Sequence, residues 1–274
     1  MTLIGLYAFE KRALYEVLLI AVGAGLLGTW IVLRGLAFYT HAVAAAAFPG
    51  LVLAAGLGFA PMVGAAGTGA LVAAGVGGAS ARRRAHYDVA TALALVGALV
   101  AGVVLASNVF HSGAEVDSLL FGSLFALTDL DLVLAGVASV LALLGTVGLG
   151  PRWLATGFDA TGARALGVRS RVPDLVLLAL VAFASVATLA AVGALLATAL
   201  LVVPAATARL WTNRLLAWQL TSVALTAALG VAGVWLSVRT NAPPGATIAA
   251  LGGVAFLISA LVNESGSLYR RRHA

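Results

Sequence analysis

Residues 17–33 read VLLIAVGAGLLGTWIVL, a run without a single charged side chain, and runs of this kind recur as far as Val262. A helix needs about 20 mostly apolar residues to cross the ~30 Å hydrocarbon core of a bilayer. Across the 274 residues, 62% are hydrophobic and 9% are charged, and the mean hydropathy is +1.08. Water-soluble domains carry about 25% charged residues, so this composition excludes that class. The expected fold class is all-α: a polytopic membrane helix bundle forming a single domain over residues 1–274.

Candidate spans cover 17–33, 40–59, 61–79, 88–110, 129–149, 172–191, 194–210, 215–238 and 245–263. The expected count is eight or nine transmembrane helices, depending on whether residues 40–80 hold two crossings or one crossing and a re-entrant piece. The run after Lys11 and Arg12 has no clear small-residue cleavage site and many apolar segments follow it, so it reads as a retained span. Glycine is frequent inside the spans, as expected where helices approach closely without a hydrophobic drive between them. Pro49 and Pro204 fall within spans; each removes one backbone donor, which suggests a kink or break lining a protein-enclosed path.

Charge orients the chain. Arg82, Arg83 and Arg84 share one connection; Arg152, Arg164, Arg169 and Arg171 share another. Arg209 and Arg214 flank a third, and Arg270, Arg271 and Arg272 form the tail. Positive connections stay in the cytoplasm, so these four, including the C-terminus, are expected inside the cell membrane. The connection 111–127 carries Glu115 and Asp117 without Lys or Arg and is expected outside; Arg239 is the positive exception there. The net charge of +6 and pI near 10.5 then reflect anchoring near anionic lipid heads rather than nucleic acid, since no basic face is long enough to track a backbone. Zero cysteines exclude disulfides and thiolate metal sites.

Gly23-Ala24-Gly25-Leu26-Leu27-Gly28 matches G-x-G-x-x-G, but the dinucleotide fingerprint requires a preceding strand. Inside an apolar helix the small residues serve packing. Lys11 is the only lysine, so no G-x-x-x-x-G-K-[ST] loop exists and the chain has no Walker-type nucleotide site. No His-Glu-x-x-His, Ser-His-Asp set or paired intramembrane carboxylate stands out, so the chain reads as a transport component and not an enzyme, with no cofactor of its own. Its energy must come from an ion gradient or another subunit. His41, near the start of the second span, is the most notable ionisable group; an interfacial histidine bonded to a carbonyl is the bland reading and a metal role the sharper one. His86 and His273 sit beside arginines and read as solvated, and His111 lies at an outer helix end.

The connection Gly150–Pro173 contains Phe158-Asp159-Ala160-Thr161-Gly162-Ala163-Arg164-Ala165-Leu166-Gly167. Asp159 can cap a helix N-terminus and Gly167 suits the residue just past its end, giving a short helix outside the membrane. It reads as a compact knob for a partner, or as an interfacial helix lying on lipid.

This stretch resembles the coupling region of the metal-type (zinc/manganese) ABC importer permeases, approximately F-D-x-x-x-A-R-A-L-G. Val32-Leu33-Arg34-Gly35-Leu36-Ala37 and Phe48-Pro49-Gly50-Leu51 are similar to that family's V-L-R-R-x-x and L-P-G. Ala191-Val192-Gly193-Ala194-Leu195-Leu196 through Leu201-Val202-Val203-Pro204-Ala205-Ala206-Thr207-Ala208-Arg209 is similar to its A-V-G-x-L-L and L-L-V-I-P-A-A-T-A run. Leu120–Leu124 and Pro243–Thr247 agree more weakly. The resemblance covers about 12–263 and implies a type II ABC importer-like permease. It further implies a second copy of the chain (a homodimer), two ATPase subunits that bind the ATP, and an extracytoplasmic metal-binding protein. The ATPase-coupling residues would be Phe158, Asp159, Ala163, Arg164, Leu166 and Gly167.

The match breaks on the second span. Where the family carries an aspartate and, four residues on, a histidine, this chain has His41 and Ala45; Asn241 stands where an aspartate is common. An i, i+4 pair shares a helix face and could chelate one cation, whereas His41 with Ala45 offers one ligand. The remaining imidazole favours zinc over manganese, which prefers carboxylate-rich sites. Metal contact is expected at His41, with Pro49, Asn241 and Pro204 on the transport path. A permease for a metal chelate or other small solute, and a gradient-driven carrier without an ATPase, are the rival readings.

Overall fold

A computed structural model describes residues 8–80, 87–110, 127–165, 167–168, 171–193 and 197–273. All described regular structure is helical: α1 (Ala8–Arg34), α2 (Ala37–Leu57), α3 (Pro61–Ser80), α4 (Tyr87–Val104, continued by a π-helical turn Leu105–Val109) and α5 (Asp129–Phe158). Then come α6 (Ala160–Ala165), α7 (Arg171–Ala187), α8 (Leu189–Val192), α9 (Ala197–Trp211), α10 (Leu215–Thr240) and α11 (Pro244–His273). Among the described residues six helices are long and apolar enough to cross a membrane, and 61–76, 172–187 and 197–211 are shorter apolar helices.

α1 is the hub, packed against α5, α9 and α10, while α2 lies against α3, α4 and α7. The G-x-G-x-x-G stretch explains how one helix serves three neighbours. A Cβ on Gly23 would strike Ser139 of α5, one on Gly25 the backbone of Val223 in α10, and one on Gly28 the carbonyl of Leu201 in α9. Absent side chains allow this close approach, which is what drives helix association in lipid. Ser139 goes further. Its hydroxyl accepts from the Gly23 amide at 3.1 Å and donates to the Leu19 carbonyl. Those two groups would otherwise bond each other, so α5 inserts a hydroxyl into the α1 ladder, an established cause of helix bending.

The two ends of the bundle are defined by ion pairs. At one end Arg12 meets Asp129 at 3.0 Å. There α5 starts in a capping box: Thr128 Oγ1 accepts from the Asp131 amide at 3.4 Å and Asp131 Oδ2 accepts from the Thr128 amide at 2.8 Å. Both donations satisfy amides that a helix start leaves orphaned. At the other end Arg34 pairs with Asp174 at 2.7 Å, close to α6. α1 and α5 therefore run parallel, and between them Trp30 and Trp153 meet edge-on, with ring centroids 5.4 Å apart. Trp30 donates to Thr146 Oγ1 at 3.1 Å, so the buried indole is satisfied.

The helices run past the expected apolar stretches at several ends, and the prolines differ from expectation as well. α5 extends to Phe158, well past the expected end at 149, with Pro151 inside it. Pro49 and Pro204 do not break their helices: α2 is continuous from Ala37 to Leu57 and α9 from Ala197 to Trp211.

Candidate functional site

The first part of the site is α6. Asp159 leaves the α5 helix with extended backbone, and its Oδ1 accepts from the amides of Thr161 and Gly162, both at 2.9 Å. These amides, Gly162 foremost, hold the Asp159 carboxyl below the usual carboxylate range, against a small opposing effect of burial. At the far end Gly167 has φ +80, a left-handed conformation that costs an L side chain strain. Val168 N–H then donates to the Ala163 carbonyl at 2.9 Å, the long bond of a Schellman cap. Asp159 and Gly167 thus do what their types suggest. Ala163 is buried, whereas Phe158 is 74% exposed. Leu166 and the side chain of Arg164 lie outside the described residues, as do 82–84, His86, His111, Glu115, Asp117 and 194–196.

The second part is the seam between α2 and α9. α2 is buried almost throughout from Tyr39 to Ala54, and its run of small residues, Ala42 and Ala44–Ala47, lets neighbours close on it. His41 is half-buried, and its Nδ1 lies 3.2 Å from Thr198 Oγ1 in the first turn of α9. Thr198 is thirteen residues before Trp211, so this contact sits about 20 Å of helix rise from that end of α9. Just before it the chain turns at Gly193, which is buried with φ +84. Gly193 donates to Leu189 at 2.8 Å and accepts from Ala197 at 3.1 Å. Non-helical backbone at such depth is tolerated where protein or a water-filled cavity encloses it, and interrupted helices commonly line transport sites.

Pro49 and Pro204, both buried, leave the carbonyls of Ala45 and Leu200 without the helical amide four residues on. Among the described residues no three His, Cys, Asp or Glu side chains gather to hold a metal. His41 therefore meets a hydroxyl, and not the second imidazole or carboxylate that would single out one cation. The ground for preferring zinc weakens accordingly. The structure brings His41 together with α9, which carries Pro204, but leaves Asn241 apart. Asn241 is exposed in the α10–α11 turn with φ 54, capping α10 in the left-handed conformation.

Glu16 was missed by sequence reasoning. It is completely buried on α1, and neither carboxylate oxygen has a hydrogen-bond partner among the described residues. It lies four residues after Arg12, beside the charged flank of the first apolar run.

Residues 6–263 match the ABC 3 transport family, and the chain belongs to that family. Its members are transport components rather than enzymes. The manganese transport system membrane protein MntC of Halalkalibacterium halodurans is 30% identical over 254 residues, 92% of this chain and 87% of that protein. The manganese import system permease protein ScaB of Streptococcus gordonii is 29% identical over 266 residues, 97% of this chain and 95% of that protein. Among solved structures, PsaBC from Streptococcus pneumoniae in complex with Fab superposes with a TM-score of 0.80 at 28% identity, covering 92% of this chain and 91% of that one.

Proposed function

We propose that this chain is the permease of an ATP-driven importer of a divalent transition metal, with the α2–α9 seam at His41 on the metal path. The observation that carries the reading is α6: a short helix, capped at both ends and offered at one end of a membrane-length bundle, in an ABC 3 family chain with no nucleotide loop. ATP is then bound and hydrolysed by partner subunits that receive α6, Phe158 and Asp159 together with Ala163, Arg164, Leu166 and Gly167. Two copies of the chain complete the path, and an extracytoplasmic metal-binding protein delivers the cargo.

Nine crossings, counting the shorter apolar helices, put the N-terminus outside and the C-terminus in the cytoplasm. The basic residues Arg34, Arg152, Arg209 and Arg214 then gather at the α6 end, in keeping with the positive-inside rule. The manganese in the relatives' names makes Mn²⁺ the first cargo to assay, with Zn²⁺ beside it. A metal chelate is the second reading, favoured by Ala45 in place of a second ligand.

The test is uptake into proteoliposomes holding this chain, its ATPase and its binding protein, with Mn²⁺ and Zn²⁺ as separate cargoes. Arg164→Glu and Asp159→Arg are expected to abolish uptake while the chain still inserts, and His41→Ala to reduce it. Normal ATP-driven uptake in both coupling variants would remove α6 from the mechanism. Full retention in His41→Ala would remove that residue from the path.

A further inference from the structure

We infer that Arg34 is the positioning residue through which a displacement of α6 reaches the helices that line the metal path, an inference that rests on the coupling role proposed for α6. Arg34 is the last residue of α1, yet its contacts lie on the two helices that bracket α6. Nη1 donates to the Trp153 carbonyl at 3.3 Å and to Thr156 Oγ1, both on α5. Nη2 pairs with Asp174 Oδ1 on α7 at 2.7 Å. A planar guanidinium presents several donors in a fixed fork, so one side chain can bind two helices at once, which a lysine ammonium does less rigidly. Gly157 makes the room: a Cβ there would lie 3.1 Å from Arg34 Cδ.

The same two helices are also tied directly. Trp153 Nε1 donates to the Pro173 carbonyl at 2.7 Å. The end of α5 and the start of α7 therefore move together when α6 is pushed, and Arg34 adds α1 to that unit. From Arg34 two routes lead inward. Gly35, with φ +67, turns the chain into α2, where His41 lies seven residues beyond Arg34. Along α1, Gly28 rests on the Leu201 carbonyl of α9, the helix whose Thr198 faces His41. Both sides of the seam thus hang from one guanidinium. The test measures the coupling itself.

The experiment uses the complete transporter in proteoliposomes and reads Mn²⁺ taken up per ATP hydrolysed. Asp174→Asn removes the charged partner and leaves Arg34 its bonds to α5; Arg34→Gln removes the fork. Each is expected to lower the ratio about tenfold, a typical coupling loss, with ATP hydrolysis persisting. The double variant is expected to be no worse than the poorer single one, because both act through one contact. An unchanged ratio in Asp174→Asn, or losses that multiply in the double variant, would overturn the inference. Asp159→Arg separates the two levels. If it transports normally, the coupling role of α6 falls; if it uncouples while Asp174→Asn does not, the role of Arg34 falls alone.

Discussion

The indole nitrogen of Trp153 and the carbonyl of Pro173, twenty residues apart in sequence, meet at 2.7 Å in the buried angle between α5 and α7. This bond closes the connection that carries α6, and a buried carbonyl stripped of its donor costs roughly 1–3 kcal/mol. Trp153→Phe keeps an aromatic ring near Trp30 but removes the N–H together with part of the buried indole, so a cavity adds to the loss. The variant is expected to melt lower and to exchange amide hydrogens faster over 160–168, as read by hydrogen exchange in nanodiscs. Unchanged exchange there would show that the bond does not brace α6.

The close approaches of α1 make a sharper prediction. Gly28→Val drives a branched side chain onto the Leu201 carbonyl, which is backbone and cannot rotate away. Overpacking of this kind costs about 1–3 kcal/mol or more. Gly97→Ala is the control, since a Cβ there meets nothing within 4 Å. The Gly28 variant is expected to lose monodisperse protein on size-exclusion chromatography while Gly97→Ala does not.

Hydropathy located the apolar helices, six of them membrane-length among the described residues, because lipid demands long apolar runs, and the reading of Gly23, Gly25 and Gly28 as packing residues followed from the absence of any strand. Hydropathy reports where hydrocarbon ends, however, not where a helix ends. α5 therefore outruns its apolar stretch, held by Trp153 and Thr156, which are buried against α1 and α7 beyond Pro151. The cap residues of α6 were legible because Asp159 and Gly167 act locally. Arg34 and Ser139 were not, since their roles lie in partners more than a hundred residues distant.

Asp159 gives the cap of α6 a pH dependence with a definite sign. Its carboxyl is held below the usual range by the amides of Gly162 and Thr161. The cap therefore contributes stability above the carboxyl's unfolded value and loses it as pH falls through the depressed folded value. Protection of the α6 amides is expected to be flat near neutrality and to fall only in acid. Asp159→Asn, which can cap without charge, is expected to flatten that acid loss; an identical acid profile in the Asn variant would assign the titration to another group.

Glu16 tests whether its burial is a stability cost. A carboxyl removed from water with no donor on either oxygen among the described residues is destabilising, and an apolar residue of similar volume removes that penalty. Val17 and Ala13 beside it already belong to an apolar cluster with Leu127 and Val234, so a thioether finds matching neighbours. Glu16→Met is expected to raise stability by about 1–3 kcal/mol, seen as a higher melting temperature in nanodiscs. Glu16→Gln should gain little, because an amide has the same unmet need for partners. If the methionine variant melts lower than the parent, Glu16 is held by a partner outside the described residues, and the carboxyl stabilises the end of the bundle where Arg12 meets Asp129.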